Sequence, residues 1–302
     1  MTAFRQIAGA SLLSLAALAT PALAATDDQW HYEGTVFADR DSADDIAGAG
    51  EVETRLQTRL GAGIAASRSF STGSARTDLS FGLSHEAYPD HDRNSRTYLD
   101  AEAETVQPLA LGVLSQLRYG LELREALDGD AAEQIYSRAR VFGALRFTPA
   151  PRNILQLRLR LGYRNQDEGN TFQGYDQSEV LLDGMYLWAA PDKHRRLAVT
   201  SWYEGRTADY DRFSYDEAGL RLVGRQDLSE TLQLVGWLGG YARDYRDGGR
   251  EDRRLTSAIG IETGLSDHST LELYTGWERN NSTYADKAFE GALAGARLTV
   301  TF

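Results

Sequence analysis

Apolar and charged residues alternate along this chain in segment after segment, and this pattern constrains the fold more than any other feature. In one segment, apolar or aromatic residues alternate with mostly polar ones: Leu155, Leu157, Leu159, Leu161 and Tyr163 with Gln156, Arg158, Arg160, Gly162 and Arg164. Successive side chains of a β-strand point to opposite faces, whereas a helix would spread these residues around its circumference. The segment is therefore predicted to be a strand with one apolar and one charged face.

Fourteen segments of this kind follow one another, separated by short polar stretches that contain Gly, Pro, Asn and Asp. A bacterial single-chain transmembrane barrel has an even number of strands, each of at least about nine residues. We therefore predict an all-β fold, a transmembrane antiparallel up-and-down β-barrel with short periplasmic turns and modest extracellular loops, none long enough to plug the lumen. The predicted strands cover approximately residues 30–40, 51–65, 75–86, 96–106, 112–125, 134–147, 154–165, 176–188, 196–206, 213–225, 231–243, 253–265, 270–280 and 288–302.

A soluble β-propeller is the main alternative, because a repeat of about 40 residues also matches the spacing of propeller blades. A blade, however, buries both faces of its sheet. Here one face of almost every segment carries ionised groups, and burying them in a dry core would cost on the order of several kcal/mol each. A water-filled lumen avoids this cost, so the membrane barrel is favoured.

Residues 1–24 have the composition of a secretory signal: a positive charge at Arg5, an apolar run, and small residues at Ala22 and Ala24. The run is about a dozen residues long, whereas a membrane-anchoring helix needs roughly 20. A cleaved signal peptide is therefore favoured over an anchor. Cleavage after Ala24 would leave residues 25–302 as the barrel, in the outer membrane of a Gram-negative bacterium.

The inward faces of the predicted strands carry unevenly distributed charges. The sixth and seventh strands form a predicted basic wall of Arg138, Arg140, Arg146, Arg158, Arg160 and Arg164. Strands four, twelve and thirteen supply acidic residues, namely Asp100, Glu102, Glu104, Glu262, Glu272 and Glu278. In a closed ring the basic wall faces a partly acidic one, which favours contacts between arginine and carboxylate or phosphate groups of a solute. Alternatively, these charges pair across neighbouring strands and only satisfy a polar interior.

Six aromatic residues also occupy positions that are predicted to face the lumen: Tyr98, Tyr136, Trp202, Trp237, Tyr241 and Tyr274. Such rings could stack on sugars, or they could pack the lumen.

Catalysis, metal binding and cofactor binding find little support. The five histidines fall on different faces and levels of the predicted barrel, and no Gly-rich nucleophile turn is present. The absence of cysteine removes thiol catalysis and zinc–cysteine sites. A net charge of −12 argues against a nucleic-acid partner. We therefore predict a protein that is not an enzyme and has no cofactor, with an outer-membrane phospholipase, protease or deacylase as the enzymatic alternative.

The last eleven residues, 292–302, alternate outward apolar side chains and end in Phe302. They resemble the closing strand of Gram-negative outer-membrane proteins, a pattern similar to the one that the barrel assembly machinery recognises. This resemblance implies that Leu298, Val300 and Phe302 form the assembly signal.

Two further resemblances concern the whole chain and its last hairpin. The length, the strand number and the charged lumen are similar to those of small monomeric 14-stranded porins. The last hairpin, with the sequence 277–282 followed by Phe289, resembles the ends of outer-membrane barrels associated with exopolysaccharide export. The chain departs from those export systems because no helical repeat scaffold precedes the barrel.

The leading hypothesis is a porin-like channel for passive diffusion of small hydrophilic solutes, either saccharides or organic anions, through an arginine-rich lumen. An accessory barrel for exopolysaccharide secretion and a non-conducting structural barrel are the alternatives. The expected partners are outer-membrane lipid, lipopolysaccharide, the barrel assembly machinery and the solutes. The sequence leaves the oligomeric state open.

Overall fold

The computed structural model describes residues 29–47, 51–90, 94–129, 133–167 and 174–302. The predicted signal peptide, 1–24, lies outside these residues. Within them, no helix is long and apolar enough to cross a membrane. Strands dominate the described chain: β1 (His31–Ala47), β2 (Glu51–Thr72), β3 (Ala75–Ala87), β4 (Arg96–Leu111), β5 (Leu114–Asp128), β6 (Gln134–Ala150), β7 (Asn153–Gln166), β8 (Gln177–Ala189), β9 (Arg195–Ala208), β10 (Tyr215–Asp227), β11 (Leu232–Tyr245), β12 (Glu251–Ser266), β13 (Ser269–Ser282) and β14 (Phe289–Thr301).

Each strand pairs antiparallel with its neighbours in sequence, and β1 pairs with β14 to close the ring. Two backbone hydrogen bonds complete this seam, because Tyr32 and Phe302 each donate an N–H to the carbonyl of the other at 3.0 Å. Closure leaves no free sheet edge, as a membrane-spanning sheet requires. The predicted antiparallel up-and-down barrel of fourteen strands is confirmed.

The outer surface of the barrel is apolar across its middle. Leu157 and Leu161 of β7, for example, leave nearly half of their surface exposed. Exposed aromatic residues stand toward the two ends of this band, with Tyr163 and Tyr203 near one end and Trp188 near the other. An apolar band between aromatic girdles is typical of barrels that cross an outer membrane.

Short turns join the strands at one end of the barrel, and longer connections join them at the other. Two residues suffice at 73–74 and 112–113, where Gly73 (φ 61°) and Gly112 (φ 64°) adopt the left-handed backbone that tight hairpins require. Bacterial barrels have short turns on the periplasmic side and longer loops outside. The first residue of β1 and the last residue of β14 therefore lie on the periplasmic side of the barrel.

The first two strands are longer than their alternation predicts. β1 continues to Ala47 instead of ending near residue 40, and β2 continues to Thr72 instead of ending near residue 65. Residues 65–72 are mostly small or polar, so the apolar pattern fades there. They remain a strand because they pair with β3 as far as Thr72 opposite Ala75.

The outer part of the β1–β2 hairpin leans over the lumen. β1 pairs with β14 only up to Asp39 opposite Gly295, and β2 pairs with β3 only from Leu60 onward. Beyond these points, Ser42 accepts a hydrogen bond at 2.7 Å from Arg254 of β12, three strands away around the ring. The outer loops are short, as expected, but this extended hairpin narrows the outer mouth.

Candidate functional site in the barrel lumen

The arginines of the predicted basic wall lie on the lumen side of β6 and β7. Arg138 lies directly opposite Arg164, and Arg146 lies opposite Gln156, so the even-numbered residues of the two strands share one face. The other face carries the exposed leucines. In the ring, β6 and β7 lie across the lumen from β13 and β14.

Carboxylates of β8 neutralise three of these arginines. Arg140 Nε donates to Glu179 Oε2 at 2.6 Å, while Arg158 Nε and Arg160 Nη2 both donate to Asp183 Oδ2 at 3.1 Å. Glu179 and Asp183 were not among the predicted site residues, although the alternation along β8 predicts that both side chains face the lumen. The wall is therefore less positive than its arginine content predicts.

Ion pairs continue around β8–β11 as a buried ion-pair belt, formed by Glu179, Glu204, Arg206, Tyr215, Glu217 and Arg243. Arg206 contacts both Glu179, at 3.3 Å, and Glu204, while Arg243 Nη2 donates to Glu217 Oε2 at 2.5 Å. The ring of Tyr215 lies 5.4 Å from the Arg206 guanidinium and 4.2 Å from that of Arg243. The belt residues are all less than 5% exposed, so these charges face each other and not the solvent.

The acidic residues of β4 are also engaged with arginines. Arg124 Nε donates to Asp100 Oδ1 at 2.5 Å, and Arg118 Nε donates to Glu104 Oε1 at 2.9 Å. Glu102 differs, because it lies opposite a glutamate of β5 and forms no salt bridge among the described residues.

The acidic residues of β12 and β13 also pair with arginines. The pairs are Glu262 with Arg225 at 3.2 Å, Glu272 with Arg297 at 3.9 Å, and Glu278 with Arg254. Pairing within each wall reduces the transverse field that the sequence predicts, because each dipole decays faster with distance than a free charge.

The inward aromatic residues contact the wall itself. The guanidinium of Arg124 lies 4.9 Å from the ring centre of Tyr98, and that of Arg164 lies 3.9 Å from the ring centre of Tyr136. These cation–π contacts cover one face of each ring.

The other aromatic residues are held by hydrogen bonds or by ring contacts. Trp202 Nε1 donates to Glu217 Oε1 at 2.7 Å, and Tyr274 Oη donates to Asp39 Oδ2 at 3.2 Å. Trp237 packs edge-on against Tyr274, and Tyr241 lies 5.1 Å from the Arg243 guanidinium. A sugar ring would have to displace these contacts before stacking, and the sugar-binding role stays a prediction.

Arg138, Arg146 and Arg164 form no salt bridge with any carboxylate in the described part of the chain. Arg146 Nη1 lies 3.5 Å from the Gln116 side-chain oxygen, and Arg164 donates to the side-chain oxygen of Gln166. These arginines retain their positive charge toward the lumen.

Burial of the lumen charges changes along the barrel axis. The belt lies in the outer half, where the side chains of Glu204 and Arg243 are only 1% and 2% exposed. In the inner half, Arg158 is 29% exposed, and Glu262 and Arg297 are both 25% exposed. On the side of the lumen formed by β8–β11, the outer half is therefore tightly packed.

The residues of the predicted assembly signal lie on the outer face of β14. Leu298 is opposite Val36 and Val300 is opposite Gly34, while the Phe302 side chain is 71% exposed. Phe302 therefore ends the lipid-facing band at its periplasmic edge. Its recognition by the assembly machinery stays a prediction.

Comparison with protein-family models and with curated protein sequences finds no match. Solved structures, in contrast, match along almost the whole chain. The outer membrane channel DcaP of Acinetobacter baumannii is similar with a TM-score of 0.54 and 10% identity, over 91% of this chain and 96% of that one. The fold is that of outer-membrane channels.

Two further solved structures share this fold. An outer membrane channel from Pseudomonas putida F1 is similar with a TM-score of 0.51 and 11% identity, over 93% of this chain and 97% of that one. OmpT, an outer membrane protein of Vibrio cholerae in its trimer form, gives a TM-score of 0.50 and 8% identity, over 91% of this chain and 99% of that one. At such identities the likeness concerns the porin-like barrel, and the lumen chemistry must be argued from this chain's own residues.

Proposed function

We propose that this protein is an outer-membrane channel for passive diffusion of small hydrophilic solutes, and that it prefers anions. The observation that carries the proposal is the closed barrel with an apolar outer face and charged side chains along the whole inner face. A polar interior of this kind favours water and hydrated solutes, while the outer face favours lipid.

The anion preference rests on the arginines that keep no carboxylate partner, Arg138, Arg146 and Arg164. Their field raises the local concentration of negative solutes in a narrow lumen. Organic anions are favoured over saccharides, because the inward aromatic rings that would stack on sugars are engaged by the wall. The same contacts weigh against polysaccharide export.

A non-conducting structural barrel is the rival function, and the buried ion-pair belt is the observation in its favour. Paired charges that are nearly inaccessible to solvent stabilise a wall without contributing to permeation. The inward lean of the β1–β2 hairpin narrows the mouth further.

Reconstitution of folded protein in a planar lipid bilayer distinguishes the two functions. We expect stepwise conductance and, in a potassium chloride gradient, a reversal potential that shows preference for chloride. Replacing Arg146 with Gln should shift the reversal potential toward cations. Arg253→Gln is the matched control, because it removes the same charge from a side chain that is 74% exposed on the outer face of β12. Folded protein without conductance would overturn the channel in favour of the structural barrel.

A further inference from the structure

Four buried side chains form a square on the lumen face of β6 and β7. Tyr136 lies opposite Gln166, and Arg138 lies opposite Arg164 in the strand register. All four residues are at least nine-tenths buried, with exposures of 3%, 2%, 7% and 8% in that order. They lie at the outer ends of their strands.

The hydrogen bonds within this square leave only donors without partners. Arg164 donates through Nε at 3.0 Å and through Nη2 at 2.5 Å to the same Gln166 Oε1, and its guanidinium covers the ring of Tyr136. Gln166 Nε2 and Tyr136 Oη are then buried without a hydrogen-bond partner in the part of the chain that the structure describes. Arg138 has neither a hydrogen bond nor an ion pair with any residue that the structure describes. Buried polar groups are normally satisfied, so several unpaired donors in one place require an explanation.

The charges around the square do not supply the missing acceptor. Arg138 has Arg124 opposite it on β5, and the carboxylate of Asp100 is already held by Arg124. The next lumen-facing residue along β6 is Arg140, which donates a hydrogen bond to Glu179. Among the described residues, the square therefore holds two guanidinium groups, Arg138 and Arg164, with no carboxylate bound to either. An isolated buried charge is unfavourable unless a counter-charge with acceptor atoms comes close.

We propose that this square binds the oxyanion group of a small solute, a carboxylate or a phosphate. Such a group carries negative charge and only accepts hydrogen bonds, which complements the Arg138 guanidinium, the Gln166 amide and the Tyr136 hydroxyl. Arginine binds both groups through two parallel N–H donors, which makes these contacts strong and directional. The site deepens the proposed channel function, because its ligand arrives from the lumen.

Titration calorimetry on the folded full-length barrel in detergent tests the site without relying on conductance. Inorganic phosphate and malonate serve as separate probes in a buffer of about 0.1 M salt, where charges farther than about 10 Å away are largely screened. We expect one binding event per barrel for at least one probe. Arg138→Gln should weaken its affinity about tenfold or more, since it removes a hydrogen-bonded charge. Tyr136→Phe, which deletes only the hydroxyl, should weaken it severalfold.

Arg297→Gln is the matched control, because it also removes one lumen arginine but from β14, across the barrel. We expect it to leave the affinity nearly unchanged. Equal losses in Arg138→Gln and Arg297→Gln would assign the effect to the general field of the lumen and overturn the site. Absence of binding of both probes to folded wild-type protein would overturn it as well. If the barrel binds a probe but conducts no ions, the proposed binding site stands and the proposed channel function is contradicted.

Discussion

Glu179 pairs with two arginines in the lumen. Its carboxylate accepts from Arg140 and contacts Arg206, and its side chain is 2% exposed. Glu179→Gln removes the carboxylate that two buried guanidinium groups share, which should lower the free energy of unfolding by about 3 kcal/mol or more. Urea titration of the barrel in phospholipid vesicles, followed by tryptophan fluorescence, measures this loss.

The matched control for that variant is Glu290→Gln. Glu290 also pairs with an arginine, at 3.7 Å, but its side chain is 62% exposed, so the change should stay within about 1 kcal/mol. Equal losses in the two variants would contradict a structural role for burial in the belt.

Parity along a strand predicts which way each of these residues faces, because side chains alternate with a period of two. It does not predict which carboxylate meets which arginine. That depends on the register between strands, which the turns and bulges set, as where Arg160 and Asp183 meet across β7 and β8. The residues of the basic wall were therefore predictable, whereas their partial neutralisation by carboxylates was not.

Within β9 and β10, a glycine on one strand makes room for an aromatic ring on the next. A Cβ on Gly219 would lie 2.0–2.5 Å from atoms of the Trp202 ring. Gly219→Ala must move this ring and weaken its hydrogen bond to Glu217, so we expect a loss of about 1–3 kcal/mol in unfolding free energy. Gly143→Ala is the control, because a Cβ there meets nothing within 4 Å and should change stability by no more than about 0.5 kcal/mol. Both are measured by the same urea titration, and a larger loss for Gly143→Ala would refute the packing argument.

Strand positions were largely predictable from the alternation, and their ends were less so. The apolar band ends where the bilayer ends, but pairing with a neighbour continues a strand beyond it, as β2 shows by reaching Thr72. The lean of the β1–β2 hairpin had no sequence signal, because it follows from the loss of both neighbouring partners beyond Asp39 and Leu60.

For the whole barrel, the lumen charges are most deeply buried at the belt, in the outer half of β8–β11. In the proposed channel, a solute from outside meets the hairpin, the belt and the oxyanion square before it reaches the inner half of the barrel. We therefore expect the proposed channel to select its solutes near the outer mouth. The inner arginines, such as Arg146, then act on solutes that have already entered.

The orientation of the barrel in the outer membrane gives the last prediction. The chain contains no cysteine, so a single introduced thiol can be labelled without background. Glu230 and Asp247 are exposed beyond opposite ends of β11 (Leu232–Tyr245), and the turn at Glu230 lies at the end that carries Phe302. A membrane-impermeant maleimide added to intact cells should label Asp247→Cys, and it should label Glu230→Cys only after the outer membrane is permeabilised. The reverse pattern would mean that the barrel is inverted, and labelling of neither variant before lysis would place the protein elsewhere than the outer membrane.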